Sequence, residues 1–341
     1  MTDERTSRAV GAVHGLALGD ALGAPASEHR TVRDPWVRGQ LRRGATDLDE
    51  SRVLRQVVPF VPSAIGSPVL VATDDAESFA VTARVLLDAP TWDDDDLFDA
   101  WRALMDRPET WTGPAQRSAL LNAAAGLRPP HTGTDNPAFY DDTALPGALA
   151  IALAVEDPAR ATGLARRYAT FTHDAVGVHA AVVFAGLVSR MLGGAPLREA
   201  LESVADDVAA DDWLADGVRD ALGIVDQAAS PFAAVPALVG RFAPRMYSHP
   251  GTVAETLPLA LAITAVTDGD HETALPLAFA ITRHQDSLPA LVGALCGAGG
   301  SAPAAAGFDV LGLDVLQGVT IPAVAGQSLA GLARALVQRP S

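Results

Sequence analysis

Cysteine, aromatic residues and positive charge are all scarce in this 341-residue chain. Cys296 is its one cysteine, so an internal disulfide is excluded and nothing suggests an oxidising compartment. Aromatic residues make up 5% of the chain against 49% hydrophobic residues, which disfavours a β-sandwich because strands prefer aromatic and β-branched side chains. Lys and Arg number 25 against 41 Asp and Glu, a net charge of −16. That balance excludes nucleic acid as a partner of the whole protein, since polyanions need a basic surface.

Targeting segments and common catalytic motifs are also missing from the sequence. Residues 1–10 are charged and have no apolar centre, so they do not form a secretory signal. The uncharged runs 287–308 and 315–333 are interrupted by proline and glycine, which favours buried or loop segments over membrane spans. No nucleophile elbow, zinc-protease helix, phosphate-binding P-loop or cysteine pair occurs. We therefore expect a cytoplasmic, enzyme-sized protein with no membrane partner.

Helical periodicity extends along most of the chain, and no alternating strand pattern is longer than a few residues. The first predicted helix, 7–22, carries Gly11, Gly15 and Gly19 on one face, where another helix can approach closely. Further helices are predicted at 75–87, 91 to beyond 101, 113–126, 144–155, 158–170, 174–192, 197–209, 213–227, 252–267, 271–282, 287–298 and 323–338. Loops are predicted at 128–140 and around Pro231 and Pro236, and a long irregular insertion at about 29–71. The pattern indicates an all-α fold in a single domain, 1–341.

Four short segments place oxygen or nitrogen side chains at predicted helix starts. They are Thr73-Asp74-Asp75, Asp141-Asp142-Thr143, Thr172-His173-Asp174 and Gln285-Asp286-Ser287. Each precedes an apolar, alanine-rich segment that predicts a helix. A hard cation such as Mg²⁺ needs about six oxygen ligands, more than one such segment offers. Our hypothesis is that the four helix starts converge on one pocket that holds a divalent metal ion.

Helix capping is the simpler interpretation of the same segments. Asp74 with Glu77 three residues later has the spacing of a capping box, and acidic residues near a helix N-terminus are favourable in any case. Asp141-Asp142-Thr143 fits a cap by the same reasoning. His173 on its own is more often a structural histidine than a ligand. Both interpretations stay open on these residues alone.

Five stretches resemble, in chain order, the motifs of one enzyme family. They are Gly15-Leu-Ala-Leu-Gly-Asp-Ala-Leu-Gly-Ala-Pro25, Thr73-Asp74-Asp75, Thr172-His173, Gly251-Thr-Val-Ala-Glu-Thr-Leu-Pro-Leu-Ala-Leu261, and Asp286-Ser287 with Ala290-Leu-Val-Gly-Ala-Leu-Cys-Gly297. They are similar to an N-terminal signature, a first metal-ligand triplet, a central Thr-His element, a motif ahead of the last metal site, and that final site with its helix. The family is that of the ADP-ribosylglycohydrolases, and the matches are collinear from about residue 9 to 298.

The resemblance implies an all-α, single-domain hydrolase with Mg²⁺ or Mn²⁺ at the pocket floor. Such enzymes hold an ADP-ribosyl group while water replaces the group attached at the anomeric carbon. Metal ions orient the sugar and lower the pKa of a bound water, while carboxylates handle protons. The metal ligands it implies are Thr73, Asp74, Asp75, His284, Asp286 and Ser287. The substrate-binding candidates are Asp20, Gly23, Asp141 and His173, and Asp75 is also a catalytic candidate.

Three positions depart from the family's pattern. The acidic residue expected two places after Pro25 falls on Ser27, so either Glu28 serves as the catalytic glutamate through an insertion or that glutamate is missing. His284 stands where the family has the first aspartate of its final motif, and histidine suits Mn²⁺ better than Mg²⁺. Asp141 and Asp142 replace a Met-Arg pair. We expect one metal site, from Thr73, Asp74, Asp75 and Asp286, and a second that is degraded or repurposed, with His284 and Ser287 as its remaining candidates. Asp142 is a candidate for a supporting carboxylate or a general acid/base.

Three functions remain open at this point. The first is a metal-dependent glycosyl hydrolase acting on an ADP-ribosylated protein or a smaller ribosylated metabolite. The second is a non-catalytic relative that keeps the scaffold and binds a nucleotide-sugar or a partner protein. The third is a metal-dependent hydrolase of another class. The sequence leaves the oligomeric state, the leaving group and the metal identity open.

Overall fold

The computed structural model describes residues 2–23, 70–243, 251–301, 303 and 312–339. Its α-helices are α1 Thr2–Gly23, α2 Asp74–Asp88, α3 Asp94–Met105, α4 Pro114–Ala124, α5 His131–Thr134, α6 Leu145–Ala154, α7 Pro158–Ala169, α8 Ala175–Leu192, α9 Leu197–Glu202, α10 Val204–Asp207, α11 Asp212–Asp226, α12 Val235–Phe242, α13 Val253–Val266, α14 His271–Phe279, α15 Leu288–Ala298 and α16 Leu329–Gln338. Short 3₁₀ turns occur at Val208–Ala210, Pro231–Ala234, Thr282–His284 and Pro322–Val324. Within these ranges there is no strand, only two isolated bridges, which pair Asp141 with Thr252 and Val315 with Ser328. The all-α prediction is confirmed.

Three apolar helices form the centre of the fold. Every residue of α6 and α15 is buried, as are nearly all of α13, so these helices are covered on all sides by others. A single hydrophobic core continues from Ala9 in α1 to Leu336 in α16. Because the starts of α6 and α15 belong to this rigid centre, the polar segments that precede them are held in fixed positions.

Helix α8, at 18 residues, is the one described helix long and apolar enough to cross a membrane. However, 78% of it is buried inside the protein. It packs against α6 and α7, which carry its apolar faces into the core. Its composition is therefore explained by burial among other helices.

The glycine stripe of α1 packs directly on the backbone of α15. A Cβ atom on Gly15 would overlap the carbonyl oxygen of Gly293, and a Cβ on Gly23 would overlap the backbone of Asp286. The two helix backbones thus touch directly at these glycines. This close crossing confirms the prediction for the stripe. It also holds Asp286 beside the end of α1 that carries Asp20.

Some predicted elements differ from those observed. The segment around Pro231 and Pro236 is a 3₁₀ turn followed by α12, because Pro236 sits in the first turn, where proline needs no N–H partner. The loop predicted at 128–140 contains the short helix α5. The helix predicted at 197–209 is broken into α9, α10 and a 3₁₀ turn. Of the insertion predicted at 29–71, only residues 70 and 71 lie within the described residues.

Candidate metal centre

Asp20 of α1 caps the start of α2. One of its carboxylate oxygens accepts hydrogen bonds from the backbone N–H groups of Thr73, at 2.8 Å, and Ala76, at 2.9 Å. The other accepts one from the Thr73 hydroxyl at 2.5 Å. Burial, and next the nearby charge of Asp74, raise the pKa of Asp20 to about 7. Asp20 therefore fixes the Thr73-Asp74 segment, and both of its carboxylate oxygens accept hydrogen bonds from it or from Ala76.

The capping-box interpretation of Asp74 and Glu77 is wrong. Glu77 is fully buried, and its carboxylate accepts hydrogen bonds from the backbone N–H groups of Val319, Thr320 and Ile321 at 2.6 to 2.8 Å. It also accepts one from the hydroxyl of Thr320. Glu77 thus holds the segment before α16 against α2 instead of capping its own helix. Capping is done by Asp20, so a capping box does not explain the two acids that begin α2.

Asp75 is the centre of a group of carboxylates that come from different helices. It is 6% exposed, and no described residue donates a hydrogen bond to its side chain. Burial raises the pKa of Asp75 well above its ordinary value. The negative charges of Asp74, Asp20, Asp142 and Asp286 raise it further, in that order. The starts of α2, α6 and α15 thus bring their acids within electrostatic reach of one another.

The donor chemistry of this group fits a hard divalent cation. The charged groups that act on Asp75 are all carboxylates, which offer oxygen donors, and a buried set of carboxylates without a cation is unfavourable because like charges repel. Among the described residues, however, no three acidic, histidine or cysteine side chains meet closely enough to form a finished coordination group. The arrangement is an open set of candidate ligands around Asp75.

Asp142 reaches the same centre from the start of α6. One carboxylate oxygen accepts a hydrogen bond from the Thr256 hydroxyl at 2.8 Å, and the other from the Ser287 hydroxyl at 3.3 Å. Its backbone N–H donates to the carbonyl of Gly251 at 2.9 Å. Burial raises the pKa of Asp142 to about 7, and the charge of Asp141 is the next cause. Asp142 is thereby held between α13 and the start of α15.

Asp141 is turned the other way and pairs with His173. The His173 Nε2 atom lies 2.8 Å from Asp141 Oδ1, and its Nδ1 atom lies 2.6 Å from the Thr172 hydroxyl oxygen. The Thr143 hydroxyl donates to the same Asp141 oxygen at 2.6 Å. Burial raises the pKa of Asp141, but the hydrogen bond and charge of His173, with the bonds from Thr143, outweigh it and hold the pKa below its ordinary value. Two predicted substrate-binding residues are therefore bound to each other.

The family model of the ADP-ribosylglycohydrolases matches residues 1–338 of the chain. The chain belongs to the ADP-ribosylglycohydrolase family. A solved structure described as an "ADP-ribosylglycohydrolase-related protein complex" is 25% identical and superposes with a TM-score of 0.63, covering 98% of this chain and 99% of that chain. No curated protein matches the chain. The family is generally hydrolytic and typically depends on metal ions, so the acids around Asp75 lie on a scaffold with hydrolase relatives.

His284 is the family-position residue that the structure does not bring to this centre. Its Nε2 atom lies 2.9 Å from the carbonyl oxygen of Phe242 and 3.2 Å from a Glu255 carboxylate oxygen. The residue is 1% exposed. Its Nδ1 atom has no hydrogen-bond partner among the described residues. His284 therefore ties together α12, α13 and the turn before α15, apart from the carboxylates around Asp75.

Two other residues singled out by the family resemblance have different outcomes. Gly23 ends α1, and its lack of a side chain permits contact with the backbone of Gln285 and Asp286. Its part in the site is therefore to let the chain before α15 approach. Glu28 lies outside the described residues.

A small cavity beside the Asp141–His173 pair is not the substrate pocket. It measures about 30 Å³ and is lined partly by hydroxyls, among them Ser78, Thr82, Thr143 and Thr172. That volume holds about one water molecule and is far too small for a sugar. The cavity lies beside the Thr172-His173 element.

Sequence reasoning missed two residues that shape the centre. Thr256 donates to Asp142, and Gly251 lies over the same carboxylate with a φ of +81°. A Cβ atom at residue 251 would lie 3.1 Å from an Asp142 oxygen, so glycine gives this carboxylate its room. Both residues belong to the family-like motif 251–261, and that motif was the available signal. Their contact with Asp142 is a tertiary one that a linear motif does not reveal.

Proposed function

We propose that the protein is a metal-dependent glycosyl hydrolase that removes an ADP-ribosyl or related ribosyl group by hydrolysis at the anomeric carbon. Family membership supports a hydrolytic scaffold. The observation that carries the proposal is Asp75, which is 6% exposed, accepts no hydrogen bond from the described residues and faces four other carboxylates. Such an arrangement is costly unless a cation compensates for it.

The residues that would hold the ion are Thr73, Asp74, Asp75 and Asp286, with Mg²⁺ or Mn²⁺ as the matching cations. When bound, the ion would supply Lewis-acid charge that orients a sugar diol and acidifies a water molecule. Asp20 positions Thr73 through its hydroxyl and its backbone N–H, so this ligand segment is rigid before substrate arrives. Rigid positioning of the groups that contact a substrate is itself a large part of catalysis.

Asp75 is our candidate for moving the proton of the attacking water. Asp75 is buried at the middle of the acids, so its carboxylate would lie beside a metal-bound water and could accept a proton from it. The Thr172–His173–Asp141 chain of hydrogen bonds forms a fixed wall beside the centre. Together these side chains bind and orient the ribosyl group, while the buried setting limits access of bulk water.

The substrate class that fits best carries little negative charge next to the reacting sugar. Asp141 and Asp142 stand where related enzymes carry a Met-Arg pair, so this edge of the site lacks the arginine cation that would favour an anionic group. A smaller ribosylated metabolite, or an ADP-ribosyl group whose phosphates point elsewhere, is favoured for this reason. The leaving group attached at the anomeric carbon is left open by the site.

Turnover of a panel of ADP-ribosylated and ribosylated substrates tests the proposal. The Asp75→Asn variant removes one charge from the centre without changing its size, and we expect it to lose at least about 100-fold in activity. Asp94→Asn is the matched control, because Asp94 is also an acid in the first turn of a helix but is exposed. Activity that is equal in wild type and Asp75→Asn would reject this mechanism.

A non-catalytic, ligand-binding family member is the second candidate function. The diversion of His284 towards Glu255 and Phe242 favours it, because one position of the family's final motif no longer contributes to the centre. Thermal-shift measurements with ADP-ribose separate the two candidates when they are combined with the substrate panel. A binder raises its melting temperature with ligand yet releases no product, whereas the hydrolase does both.

A further inference from the structure

We propose that Asp142 is a ligand of the metal ion and takes the role that the family resemblance gave to His284. The inference presupposes the proposed metal centre and names one of its ligands. Three observations support it: the location of His284, the location of Asp142 relative to Ser287, and the contacts that hold the Asp142 carboxylate.

His284 is fixed outside the centre by two contacts of one ring nitrogen. Its Nε2 atom lies within hydrogen-bonding distance of the Phe242 carbonyl and of Glu255, and its side chain is fully buried there. Arg283 also approaches Glu255, at 3.9 Å. To join Asp75, the imidazole would have to leave both partners and its packed position. The His284 side chain therefore connects helices and is not positioned as a metal ligand.

Asp142 lies where a missing ligand is needed. Its Oδ1 atom is 3.3 Å from the hydroxyl of Ser287, the residue that follows Asp286. It is also within electrostatic reach of the two acids that begin α2, because the charge of Asp74 acts on Asp142 and the charge of Asp142 acts on Asp75. It thus stands between the two ligand segments, 73–75 and 286–287, that the proposed centre uses. No described residue besides Ser287 donates a hydrogen bond to Oδ1, so that oxygen has lone-pair capacity left for a cation.

The Asp142 carboxylate is held as metal-ligating carboxylates usually are. Thr256 donates a hydrogen bond to its second oxygen at 2.8 Å, which leaves the first oxygen facing Ser287. Hydrogen bonds of this kind orient a ligating carboxylate and tune its affinity. The backbone bond from Asp142 to Gly251 fixes the chain at the same point. The geometry therefore fits a preset ligand better than a mobile acid.

Capping of α6 does not account for the Asp142 side chain. The N-cap residue of α6 is Ala144, and no side-chain capping bond is made there. The backbone carbonyl of Asp142 accepts from the Leu145 N–H, but its carboxylate points across to α13 and α15 instead. A carboxylate that serves its own helix would bond to the N–H groups of the first turn. Its direction is explained by a role at the centre.

Calorimetric titration with Mn²⁺ alone tests the assignment without any substrate. We expect Asp142→Asn to weaken Mn²⁺ binding at least about 10-fold, a loss typical of damage to a metal site. His284→Gln is the control, and its Mn²⁺ affinity should stay within about twofold of wild type if affinities follow the contacts described. The fold of each metal-free variant is checked by circular dichroism. Equal affinities for Asp142→Asn and wild type, or an equal loss in His284→Gln, would overturn the assignment.

A second variant covers the case in which Asp142→Asn does not fold. Asp142→Cys replaces the carboxylate with a soft thiolate of similar size, which favours Zn²⁺ over Mn²⁺ when it is a ligand. We expect its preference for Zn²⁺ relative to Mn²⁺ to rise at least about 10-fold over wild type, whereas His284→Cys should show no such change. An unchanged preference in Asp142→Cys would contradict a ligand role.

The proposed function and this inference fail in distinguishable ways. If Asp75→Asn loses Mn²⁺ binding while Asp142→Asn keeps it, the metal centre stands and the assignment of Asp142 is wrong. If wild type binds neither Mn²⁺ nor Mg²⁺, both are wrong. If both variants lose the ion and His284→Gln does not, both are supported.

Discussion

Asp141 and Asp142 are neighbours with opposite partners. Asp141 is paired with His173, whereas Asp142 is bonded to Thr256 and Ser287 beside the carboxylates. The backbone bridge between Asp141 and Thr252 holds the two side chains on different sides of the chain. One residue therefore stabilises the wall of the site, while the other belongs to the centre itself.

The two neighbours should respond differently to the same substitution. Asp141→Asn weakens a charge-assisted hydrogen bond to buried His173, and we expect it to lower the free energy of unfolding by about 2 kcal/mol. Its Mn²⁺ affinity should change little, because the partner it loses is the histidine. Urea unfolding and Mn²⁺ titration of both variants check this. A larger loss of Mn²⁺ affinity in Asp141→Asn than in Asp142→Asn would contradict the division of roles between the two aspartates.

A pH dependence of stability is expected at Asp314, which is not among the acids that act on Asp75. Asp314 accepts hydrogen bonds from the Ser328 hydroxyl and the Ala330 N–H at the start of α16, and it contacts His14. Burial raises the pKa of Asp314, but the bonds from Ser328, Ala330 and His14 outweigh it and leave the pKa lowered. A lowered pKa means that the stabilisation is present above the unfolded value of about 4 and is lost as the pH falls through the folded value.

Removing the Asp314 carboxylate should therefore lower the free energy of unfolding most at neutral pH. We expect Asp314→Ala to lower the free energy of unfolding by about 1 kcal/mol at pH 7, as for the loss of a helix cap. The difference from wild type should shrink when urea unfolding is measured at pH 3. A difference that is constant or grows on acidification would show that the ionised carboxylate is not what stabilises α16.

Glu77 shows what residue-level reasoning from sequence missed. Its spacing from Asp74 offered a complete local explanation, a capping box, yet its carboxylate bonds to residues 319–321, more than 240 positions away. Local spacing carries no information about such a partner. The acids of the centre were predictable as candidates because hydroxyl and acidic side chains recur at helix starts. The sequence did not predict which of these side chains lie close together.

The crossing of α1 and α15 is the element-scale feature on which the centre depends. Gly15 and Gly293 face each other in backbone contact, and the His271 ring also lies beside Gly15. A methyl group there would meet a carbonyl oxygen, which cannot move aside as a flexible side chain can. The helices would have to separate, and Asp286 would move away from Asp75.

Gly15→Ala should therefore destabilise the protein and weaken the centre together. We expect a loss of about 1 to 3 kcal/mol in the free energy of unfolding, as for other overpacked cores, with weaker Mn²⁺ binding. Gly163→Ala in α7 is the matched control, because a Cβ there has no heavy atom within 4 Å. Alanine should stabilise that helix by about 0.5 to 1 kcal/mol. Similar urea unfolding of the two variants would contradict the close crossing.

Helices were predicted correctly where a long apolar segment had helical periodicity. They were missed where a proline was interpreted as a helix breaker. Helices α6, α13 and α15 follow from apolar runs whose helical period or length is unmistakable. Helix α12 was missed because Pro236 was treated as a breaker although it lies in the first turn, where proline is tolerated. The start of α16 was placed six residues early, because the cap at Ser328 competes with an apolar stretch before it.

At the scale of the whole molecule, acidity and ion binding are linked. The chain carries a net charge of −16, and several of its acids are buried together around Asp75. A cation that binds there offsets repulsion in the folded state only. The folded protein should therefore be stabilised by divalent ions through mass action.

Addition of Mn²⁺ should raise the melting temperature, and a chelator should reverse the change. At an ion concentration of about 100 times the dissociation constant, the expected gain is about 2.7 kcal/mol in the free energy of unfolding. Asp75→Asn should show a smaller gain, while the exposed-acid variant Asp94→Asn should respond as wild type does. An identical rise in Asp75→Asn would show that the ion binds elsewhere on the acidic surface.

The most direct test of the central claim is the position of a bound ion in crystals grown with Mn²⁺. Anomalous diffraction locates Mn²⁺ independently of any assumed ligand. The account predicts a peak bounded by oxygen atoms of Asp74, Asp75 and Asp286, at distances of about 2 to 2.5 Å. A peak confined to other surface acids, or no peak between the starts of α2 and α15, would contradict it.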